Sequence, residues 1–323
     1  MNRETGKHLL HVAGFLLGLA ALLAAASRLY EPRDNQKWAD VSSFYVYADG
    51  YLGHGADELD AIFVGCSEFY ASVSPLRIWT ASGVTSYNVS TSAQRIYTSD
   101  EYIHRILRTH HPKVIVLDGY AAIRPGYADD AAYDMFETRF SIFQYHNNWK
   151  KYDWNKITTP IHYTNRVEKK GFRSNDKVAH PDFEGYNAPS EEVAPIPVLN
   201  RIYLGHIARL CRAHGVQLVV LYVPSPSNWS YAIHNALQRD TERLGIPFVD
   251  LNLRLDEVGI VFDTDFQDEE GDHLNIAGAN KMSAYLGHLL AEEYGLPDHR
   301  DDPAFAQWNS EAAQSAVSGE DQA

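Results

Sequence analysis

The sequence predicts an α/β fold, a three-layer α/β/α sandwich around a parallel, doubly wound (flavodoxin-like) sheet, preceded by an N-terminal transmembrane helix. Short, continuous apolar runs rich in β-branched residues alternate with longer amphipathic stretches, as in buried parallel strands and the helices that connect them. A further apolar segment near the N-terminus is long enough to cross a membrane. At 323 residues the chain suffices for one large α/β domain with an insertion.

The apolar N-terminal segment covers residues 9–26 and is interrupted by a single histidine. As a helix it would extend about 27 Å, close to the thickness of a hydrocarbon core. Arg3 and Lys7 precede it and predict a cytoplasmic N-terminus. We favour an uncleaved anchor at residues 1–30 over a cleaved signal peptide with its cut near residues 24–26, and over a buried globular helix. Either of the first two interpretations places the rest of the chain outside the cytoplasmic membrane.

A polar lead-in or linker at residues 31–59 is followed by one predicted domain at 60–296. Its predicted strands are 60–65, 85–89, 113–118, 217–223 and 247–251. Its predicted helices are 99–108, 202–214, 228–244 and 276–294.

Two segments depart from this alternation of strands and helices. Residues 121–197 are rich in Tyr, Trp, Phe and His, and we interpret them as an inserted subdomain or lid over one edge of the sheet. Residues 297–323 are polar and small, and we predict a disordered tail.

The composition excludes some classes of protein. The formal charge of −14 argues against a nucleic-acid partner, since phosphate contacts need clustered Lys and Arg. Cys66 and Cys211 are too few for a disulfide framework, and both fall in predicted buried elements. We therefore expect two reduced, buried thiols, which say little about the compartment.

Ser67 follows the first predicted strand directly, in the motif Gly65-Cys66-Ser67-Glu68. The glycine two residues earlier permits a tight strand-to-helix turn that would expose the serine hydroxyl. The following helix would offer free N–H groups and its positive dipole end to a developing oxyanion. Such a serine is typical of a nucleophile, although a simple helix cap is the plainer interpretation of this motif alone.

His273 follows the fifth predicted strand and precedes the closing helix, in Asp272-His273-Leu274-Asn275. A serine nucleophile needs a base, and the base needs an acid that holds its tautomer. The acidic loop from Asp268 to Asp272 lies within five residues of the histidine. Ser67 and His273 are therefore the candidate nucleophile and base. A solvated loop or a cation site is the alternative for the carboxylates, although their spacing is not that of a calcium loop.

The part of the chain from about residue 61 to 296 resembles the SGNH/GDSL hydrolases. It is most similar to their membrane-anchored bacterial branch, which resembles surface-glycan O-acyltransferases and esterases. The resemblance rests on FVGCSEFYASVSPLRIW, SYNVSTSAQRIYTSDEY, HPKVIVLDGY, YHNNWKKYDW and DHLNIAGANKMSAYLGHLL. It implies that Ser67 is the nucleophile in preference to Cys66, and that His273 is the base.

In this family the acid lies three residues before the base, and that position holds Glu270. A glutamate can orient a histidine, so the resemblance implies Glu270 first. Asp268 would reach the ring if the loop is longer by two residues, and Asp272 is adjacent to His273. Both aspartates remain open as alternatives.

The resemblance places the oxyanion donors on the backbone N–H groups of Ser67 and Ala93, the latter where the family has a glycine. The family's third-block asparagine falls near Tyr120, and this chain has no asparagine there. Either Tyr120, Asn88 or Gln94 replaces that side-chain donor, or the enzyme is slow toward water and tuned to a particular acyl acceptor. Loss of one such donor typically raises the barrier by about 3 kcal/mol.

The resemblance implies ester hydrolysis or acyl transfer, often of an acetyl group, on a cell-envelope or exported polysaccharide, without a metal or an organic cofactor. Tyr145, His146 and Trp149 of the aromatic insertion are the residues expected to face a carbohydrate, and the insertion's own core is the alternative role for these rings. A membrane protein that supplies the acyl donor is a candidate partner.

Two rival interpretations remain. The chain could be a catalytically weakened or inactive SGNH-fold protein that serves as an anchored glycan-binding or assembly factor, which the missing asparagine and the shifted acid favour. A thiol enzyme that uses Cys66 is disfavoured, because this side chain would point into the sheet when Ser67 points out of it.

Overall fold

The computed structural model describes residues 3–31, 44–126, 128–145, 158–160 and 169–317. Its sheet has five parallel strands: β1 (Ala61–Gly65), β2 (Ser86–Ser90), β3 (Val114–Asp118), β4 (Gln217–Tyr222) and β5 (Phe248–Asp250). The spatial order β2-β1-β3-β4-β5 is that of flavodoxin-like sheets. The α/β class and all five predicted strands are confirmed, and each strand end lies within one residue of its predicted place.

The helices of the described residues are, in chain order, α1 (Arg3–Tyr30), α2 (Phe44–Ala48), α3 (Ser67–Ser72), α4 (Pro75–Ser82), α5 (Ile96–Thr109), α6 (Gly119–Ile123), α7 (Ala128–Arg139), α8 (Ser141–Gln144), α9 (Val198–Ala213), α10 (Tyr231–Leu244), α11 (Leu255–Val258), α12 (Phe262–Asp265), α13 (Ile276–Glu292) and α14 (Ala306–Val317). Short 3-10 helices lie at Asp49–Gly53, Leu251–Leu253 and Pro303–Phe305. The four predicted helices of the domain correspond to α5, α9, α10 and α13.

Strand side chains alternate between two apolar clusters, one on each face of the sheet. In β1, Ile62 and Val64 belong to a cluster that includes residues of α5 and α9, whereas Ala61 and Phe63 belong to one that includes residues of α13. Every residue of β1, β2 and β3 is buried. Burial on both faces explains why these strands are continuous apolar runs and not alternating ones.

The strand order directs the chain to opposite sides after β1 and β3. β1 pairs with both β2 and β3, and the chain continues from β1 to β2 but from β3 to β4 on the other side. Such a reversal opens a crevice beyond the carboxyl ends of the two central strands. Ser67 comes two residues after the end of β1 and Tyr120 two residues after the end of β3, so the topology brings both to this edge.

The N-terminal helix α1 agrees with a membrane anchor. Within its segment Glu4–Tyr30, the most apolar 18-residue window has a mean hydropathy of 2.2 and is 0% buried. Within the described part of the chain it is the one helix long and apolar enough to span a bilayer. Single-pass membrane association is therefore compatible with the structure. The end of α1 reaches the domain, since the Ile142 N–H donates to Ser27 Oγ over 3.3 Å.

The structure corrects the predicted lead-in at 31–59. From residue 44 onward this segment is built into the domain, as α2 and the 3-10 helix Asp49–Gly53. Tyr51 is fully buried in the cluster on one face of the sheet. The Tyr87 hydroxyl of β2 donates to the Tyr47 carbonyl over 2.7 Å. The scattered aromatic residues of this polar segment therefore pack on the sheet edge and fix it there.

The predicted disordered tail at 297–323 is also corrected, because residues up to 317 are folded and carry α14. Trp308 is 2% exposed, and its Nε1–H donates to Glu58 Oε1 over 3.1 Å. The Trp79 Nε1–H donates to Asn309 Oδ1 over 3.1 Å. The single tryptophan of this helix buries enough apolar area to hold the helix against the domain. The average composition of residues 297–323 does not reveal this effect.

Candidate active site

Ser67 lies at a sharp transition from β1 to α3. β1 ends at Gly65, Cys66 is extended (φ −98°, ψ −159°), and Ser67 is the first residue of the helix. A Cβ on Gly65 would collide with the Asp118 side chain, so only glycine fits there. Ser67 is partly exposed between the buried Cys66 and Glu68. The turn therefore places a partly exposed serine just past the strand end, at the start of a helix whose first N–H groups have no acceptor within the helix.

His273 is held by carboxylates from its own loop. An antiparallel bridge joins Phe266 and Leu274, and the Gln267 N–H donates to the His273 carbonyl over 3.1 Å. This folds the intervening residues back on themselves. His273 Nδ1 hydrogen-bonds with Asp268 Oδ2 over 3.1 Å and lies 2.6 Å from Asp272 Oδ1. The side chain of His273 remains 22% exposed, so its ring is accessible from the solvent side.

The contacts of His273 Nδ1 distinguish the three candidate acids. Asp268 makes the hydrogen bond to Nδ1, and Asp272 forms a close ion pair with the same atom. Glu270, first by the family's spacing, is exposed in the turn of the loop, and the described residues include no contact between Glu270 and the histidine. The reason is the folded loop, which returns the chain so that position 268 faces position 273 while position 270 lies at the tip.

The two aspartates determine the charge of His273. Burial acts to lower its pKa, but the hydrogen bonds and charges of Asp268 and Asp272 outweigh burial and raise the pKa of His273 to about 10. Burial acts to raise the pKa of Asp268, but its hydrogen bonds with His273 and the Asp272 N–H lower it overall. In this structure the ring is therefore a cation at neutral pH, whereas a general base must accept a proton from its neutral form.

Ser67 and His273 lie next to two helices that pack together, but the two residues are not hydrogen-bonded to each other. The two helices that begin near them, α3 and α13, pack together, and the Ser74 N–H donates to Ser283 Oγ over 2.8 Å at the end of α3. The charge of Asp272 contributes to the raised pKa of Glu68, the residue after Ser67. The predicted Ser67–His273 hydrogen bond is thus not formed in this structure, although the segments that carry the two residues lie close together.

Ala93 adopts a backbone conformation that favours glycine. Its φ is +56°, in the left-handed region that a non-glycine residue rarely adopts. The loop that carries it is fixed to the end of β1, because the Thr91 N–H donates to the Gly65 carbonyl over 3.3 Å. Ser92 and Ala93 are both exposed. An alanine here is therefore placed as the glycine would be, beside the turn that carries Ser67.

Two of the three substitutes considered for the family's asparagine are already engaged. Asn88 is buried, and its Nδ2 donates to the carbonyls of Phe69 and Val73 over 2.8 and 3.1 Å. Gln94 accepts from Thr91 and donates from Nε2 to Ser99 Oγ over 3.0 Å. Both amides hold the loops together, which corrects their assignment as oxyanion donors.

Tyr120 is the third candidate for the side-chain donor that the asparagine would supply. It is half-buried, its N–H donates to Asp118 Oδ1 over 2.9 Å, and the Arg124 guanidinium lies 5.8 Å from its ring centre. Burial raises the pKa of its hydroxyl, so Tyr120 remains a neutral hydrogen-bond donor.

A buried acidic pair beside Ser67 was not predicted. Glu68 is 1% exposed, and its Oε1 accepts from Ser225 Oγ and Asn228 Nδ2 over 2.9 and 2.7 Å. Asp118 is fully buried, and its Oδ2 accepts from the Cys66 N–H over 2.9 Å. Burial, followed by the charge of Asp118, raises the pKa of Glu68 well above its usual range. The signal was available, since one acidic residue ends β3 and another follows the candidate nucleophile.

Tyr70 and Arg173 complete the surroundings of the serine, and the sequence analysis missed both. The Tyr70 hydroxyl lies beside the side chains of Ser67 and Ser92, and burial raises its pKa. The Arg173 guanidinium lies 4.0 Å from the Tyr70 ring centre, and the backbone N–H of Arg173 donates to the Tyr70 carbonyl over 2.6 Å. No motif marks Arg173, because it reaches the site from the irregular part of the insertion.

The predicted carbohydrate-facing residues are not brought to this edge. Tyr145 is 4% exposed, and its hydroxyl donates to Asp49 Oδ2 over 3.0 Å in a small cluster with Val46. Its role in packing corrects the prediction that it contacts substrate. His146 and Trp149 lie outside the described residues.

Two groups at the site have donor atoms close enough for a cation. Asp268, Asp272 and His273 offer ligand atoms within 4.8 Å of one another, as do the buried Cys66, Glu68 and Asp118. The first group is the loop that holds the candidate base, so the cation site raised as an alternative for this loop has the atoms it would need. Both cysteines of the chain are buried and unbridged, as expected.

Comparison with known proteins adds little to this geometry. No protein-family model and no curated protein matches the chain. Among solved structures, a gut microbial diltiazem-metabolizing enzyme aligns with 72% of this chain and 46% of its own, at 13% identity and a TM-score of 0.28. The chain spans about half the length of that enzyme.

Proposed function

We propose that this chain is a membrane-anchored serine esterase or O-acyltransferase with an SGNH-type three-layer α/β/α domain, in which Ser67 is the nucleophile and His273 the base. The observation that carries the proposal is the hydrogen bond between His273 Nδ1 and Asp268. It directs the Nδ1 proton to the carboxylate and leaves Nε2 as the atom that can take a proton from a serine. A serine at the first residue of α3, and a histidine held by an acid in the loop before α13, are the parts that acyl transfer needs.

The proposed reaction begins when Ser67 Oγ attacks the carbonyl carbon of an acyl ester and its proton passes to His273 Nε2. The N–H groups of Ser67 and Ala93, with the Tyr120 hydroxyl as a third donor, stabilise the oxyanion. Collapse of the tetrahedral intermediate forms the acyl-enzyme, and the departing alkoxide takes the proton from His273. Water or a sugar hydroxyl then gives a proton to His273 Nε2 and attacks the acyl carbonyl. The bond to Ser67 Oγ breaks, Oγ takes the proton back from His273, and an acid or a new ester is released.

We propose a carbohydrate ester of the cell envelope, or of an exported polysaccharide, as the substrate. The apolar α1 supports membrane attachment, and Arg3 and Lys7 before it favour a domain outside the cytoplasmic membrane. An O-acyltransferase in this place would take its acyl group from a membrane partner, since activated acyl donors are made in the cytoplasm.

The test is covalent labelling of the full-length protein in detergent with a fluorophosphonate, which reacts with activated serines. We expect labelling of the wild type, none of Ser67→Ala, and a strong reduction for His273→Gln. Ser310→Ala is the matched control, because Ser310 is exposed on α14 away from the site. Equal labelling of the wild type and Ser67→Ala would refute the assignment of the nucleophile.

A second candidate is a glycan-binding or assembly protein that has lost catalysis. Two observations favour it: the absence of a hydrogen bond between Ser67 and His273, both of them described residues, and the engagement of Asn88 and Gln94 in the loops. It predicts no fluorophosphonate labelling of the wild type, together with glycan binding that Ser67→Ala leaves unchanged.

A further inference from the structure

Two helices of the domain bring together a set of metal-ligating side chains that the proposed acyl chemistry does not use. Asp100 and His104 are four residues apart on α5 and so lie on the same side of that helix. His206 extends from α9, which packs against α5. The His206 Nδ1 lies 2.7 Å from Asp100 Oδ1, and the two imidazole rings have their centres 5.5 Å apart.

We propose that Asp100, His104 and His206 form a binding site for Zn²⁺ that joins α5 to α9. Each residue offers one ligand atom, and the three atoms lie within 4.8 Å of one another. In tetrahedral zinc with bonds of about 2.0–2.1 Å, ligand atoms are about 3.3 Å apart. The Asp100–His206 pair is already closer than this, and the two histidine side chains are partly exposed and free to close the remaining distance by rotation.

The donor set fits zinc better than magnesium or calcium. Two imidazole nitrogens and one carboxylate oxygen are borderline ligands, which zinc accepts, whereas magnesium and calcium require mainly oxygen. Three protein ligands would leave the fourth position to water, and the partial exposure of His206 leaves room for it.

Asp100 supplies the charge that a cation would neutralise. Its side chain is 7% exposed, and its hydrogen-bond partner is the partly exposed His206. Burial raises the pKa of Asp100, because its carboxylate is held away from water. A dication bound to this oxygen would compensate for that lost hydration.

The backbone around the three residues is already fixed by other contacts between the two helices. The Tyr97 hydroxyl of α5 donates to Asn200 Oδ1 of α9 over 3.1 Å. The rings of Tyr97 and Tyr203 have their centres 4.9 Å apart. The ligands therefore stand on two braced helices, and little backbone movement separates the present arrangement from the bound one.

The test is direct measurement of zinc binding by the full-length protein in detergent. The loop of Asp268, Asp272 and His273 could bind zinc as well, so the measurements are made in His273→Gln protein. Zinc is titrated against a chromogenic chelator, and bound metal is quantified after dialysis. Thermal unfolding with and without zinc is followed in parallel, because a ligand that binds only the folded state raises the Tm.

We expect one zinc per His273→Gln chain and a rise in Tm that EDTA reverses. Adding His104→Gln or His206→Gln should weaken binding at least tenfold and abolish the rise in Tm. Adding His288→Gln is the matched control, since His288 is an exposed helical histidine with Glu292 one turn away, and it should bind as the parent does.

Three outcomes would overturn the proposal. They are no zinc binding by the His273→Gln protein, unchanged binding in both the His104→Gln and His206→Gln variants, and equal weakening by His288→Gln. The metal-free Tm of each variant shows whether it is folded, and Co²⁺ provides a second readout through the visible absorption of a tetrahedral site. Failure here leaves the fluorophosphonate test of Ser67 unaffected, since the two sites share no residue.

Discussion

Replacing Asp272 with asparagine should make His273 a better base at neutral pH. With a pKa of about 10, pH 7 lies three units below the midpoint, and about one ring in a thousand is neutral. Asp272 Oδ1 lies 2.6 Å from Nδ1, and an opposite charge this close shifts a pKa by roughly 1–3 units. Asp272→Asn should therefore raise the neutral fraction at pH 7 by roughly tenfold for a shift of one unit and roughly 500-fold for a shift of three units, at which half of the rings would be neutral. The hydrogen bond to Asp268 that orients the ring is retained.

Two measurements would check this on the full-length protein in detergent. The first is NMR titration of histidine-labelled protein, in which the His273 signal is identified by its loss in His273→Gln. The second is the rate of fluorophosphonate labelling from pH 6 to pH 10. The wild-type rate should rise across this range, and in Asp272→Asn the rise should begin roughly 1–3 units lower. Asp256→Asn, on the exposed side of α11, controls for the change in net charge.

Asp268→Asn provides the contrasting variant. It removes a charge of the same sign and also the hydrogen bond that fixes the ring, so the curve should shift while the maximum rate falls. An unchanged His273 titration in Asp272→Asn would refute the electrostatic reasoning. A wild-type labelling rate that is as fast at pH 6 as at pH 9 would show that labelling does not depend on a neutral His273.

Three further outcomes follow from the structure. The folded-state pKa of His273 exceeds the ordinary 6.5, so its contribution to stability is complete below about pH 6.5 and is lost as the pH rises towards 10. The free energy of unfolding, measured with denaturant at pH 7, 8.5 and 10, should therefore decline, and His273→Gln should reduce this decline. Burial raises the pKa of Glu68 and so favours the neutral form, which glutamine resembles. Glu68→Gln should therefore change the unfolding free energy by less than about 1 kcal/mol, whereas Glu68→Ala should cost about 2–4 kcal/mol because it leaves Ser225 and Asn228 without their acceptor. Equal losses in the two variants would contradict this reasoning. Trp308→Ala should cost about 3–5 kcal/mol in the same assay, with Ser310→Ala near zero, and no loss would show that α14 is not docked.

The fold could be predicted from the sequence because its strands are buried on both faces. A run such as Ala61–Gly65 needs no partner to be recognised, since its length and β-branched composition distinguish it from a helix. The edges of the domain could not be predicted in this way. Trp308 and Tyr51 each lie in a polar segment, and only the surface of the folded sheet and its helices shows that these rings have a place to pack.

The candidate site likewise contains residues that the sequence predicts and residues that depend on the folded structure. Ser67 and His273 could be selected from the sequence because their motifs lie at the boundaries of predicted strands and helices. In a parallel sheet the strand ends meet at one edge, so residues at these boundaries can be placed there. The choice among Asp268, Glu270 and Asp272 depends on how one loop folds back through the pairing of Phe266 with Leu274, and residue spacing does not encode that pairing.

The charge state of His273 suggests how substrate and base would be coupled in the proposed enzyme. Burial is the strongest single influence on this ring, and it acts towards the neutral form. The side chain is still 22% exposed, so a substrate that covers it would remove the remaining water. Desolvation of an imidazolium lowers its pKa, and a bound acyl ester would thereby help to free Nε2 for the Ser67 proton. Without substrate, the proposed enzyme would keep His273 protonated, so Ser67 would have no base. Binding of a substrate large enough to cover His273 would favour the neutral ring that can accept the Ser67 proton.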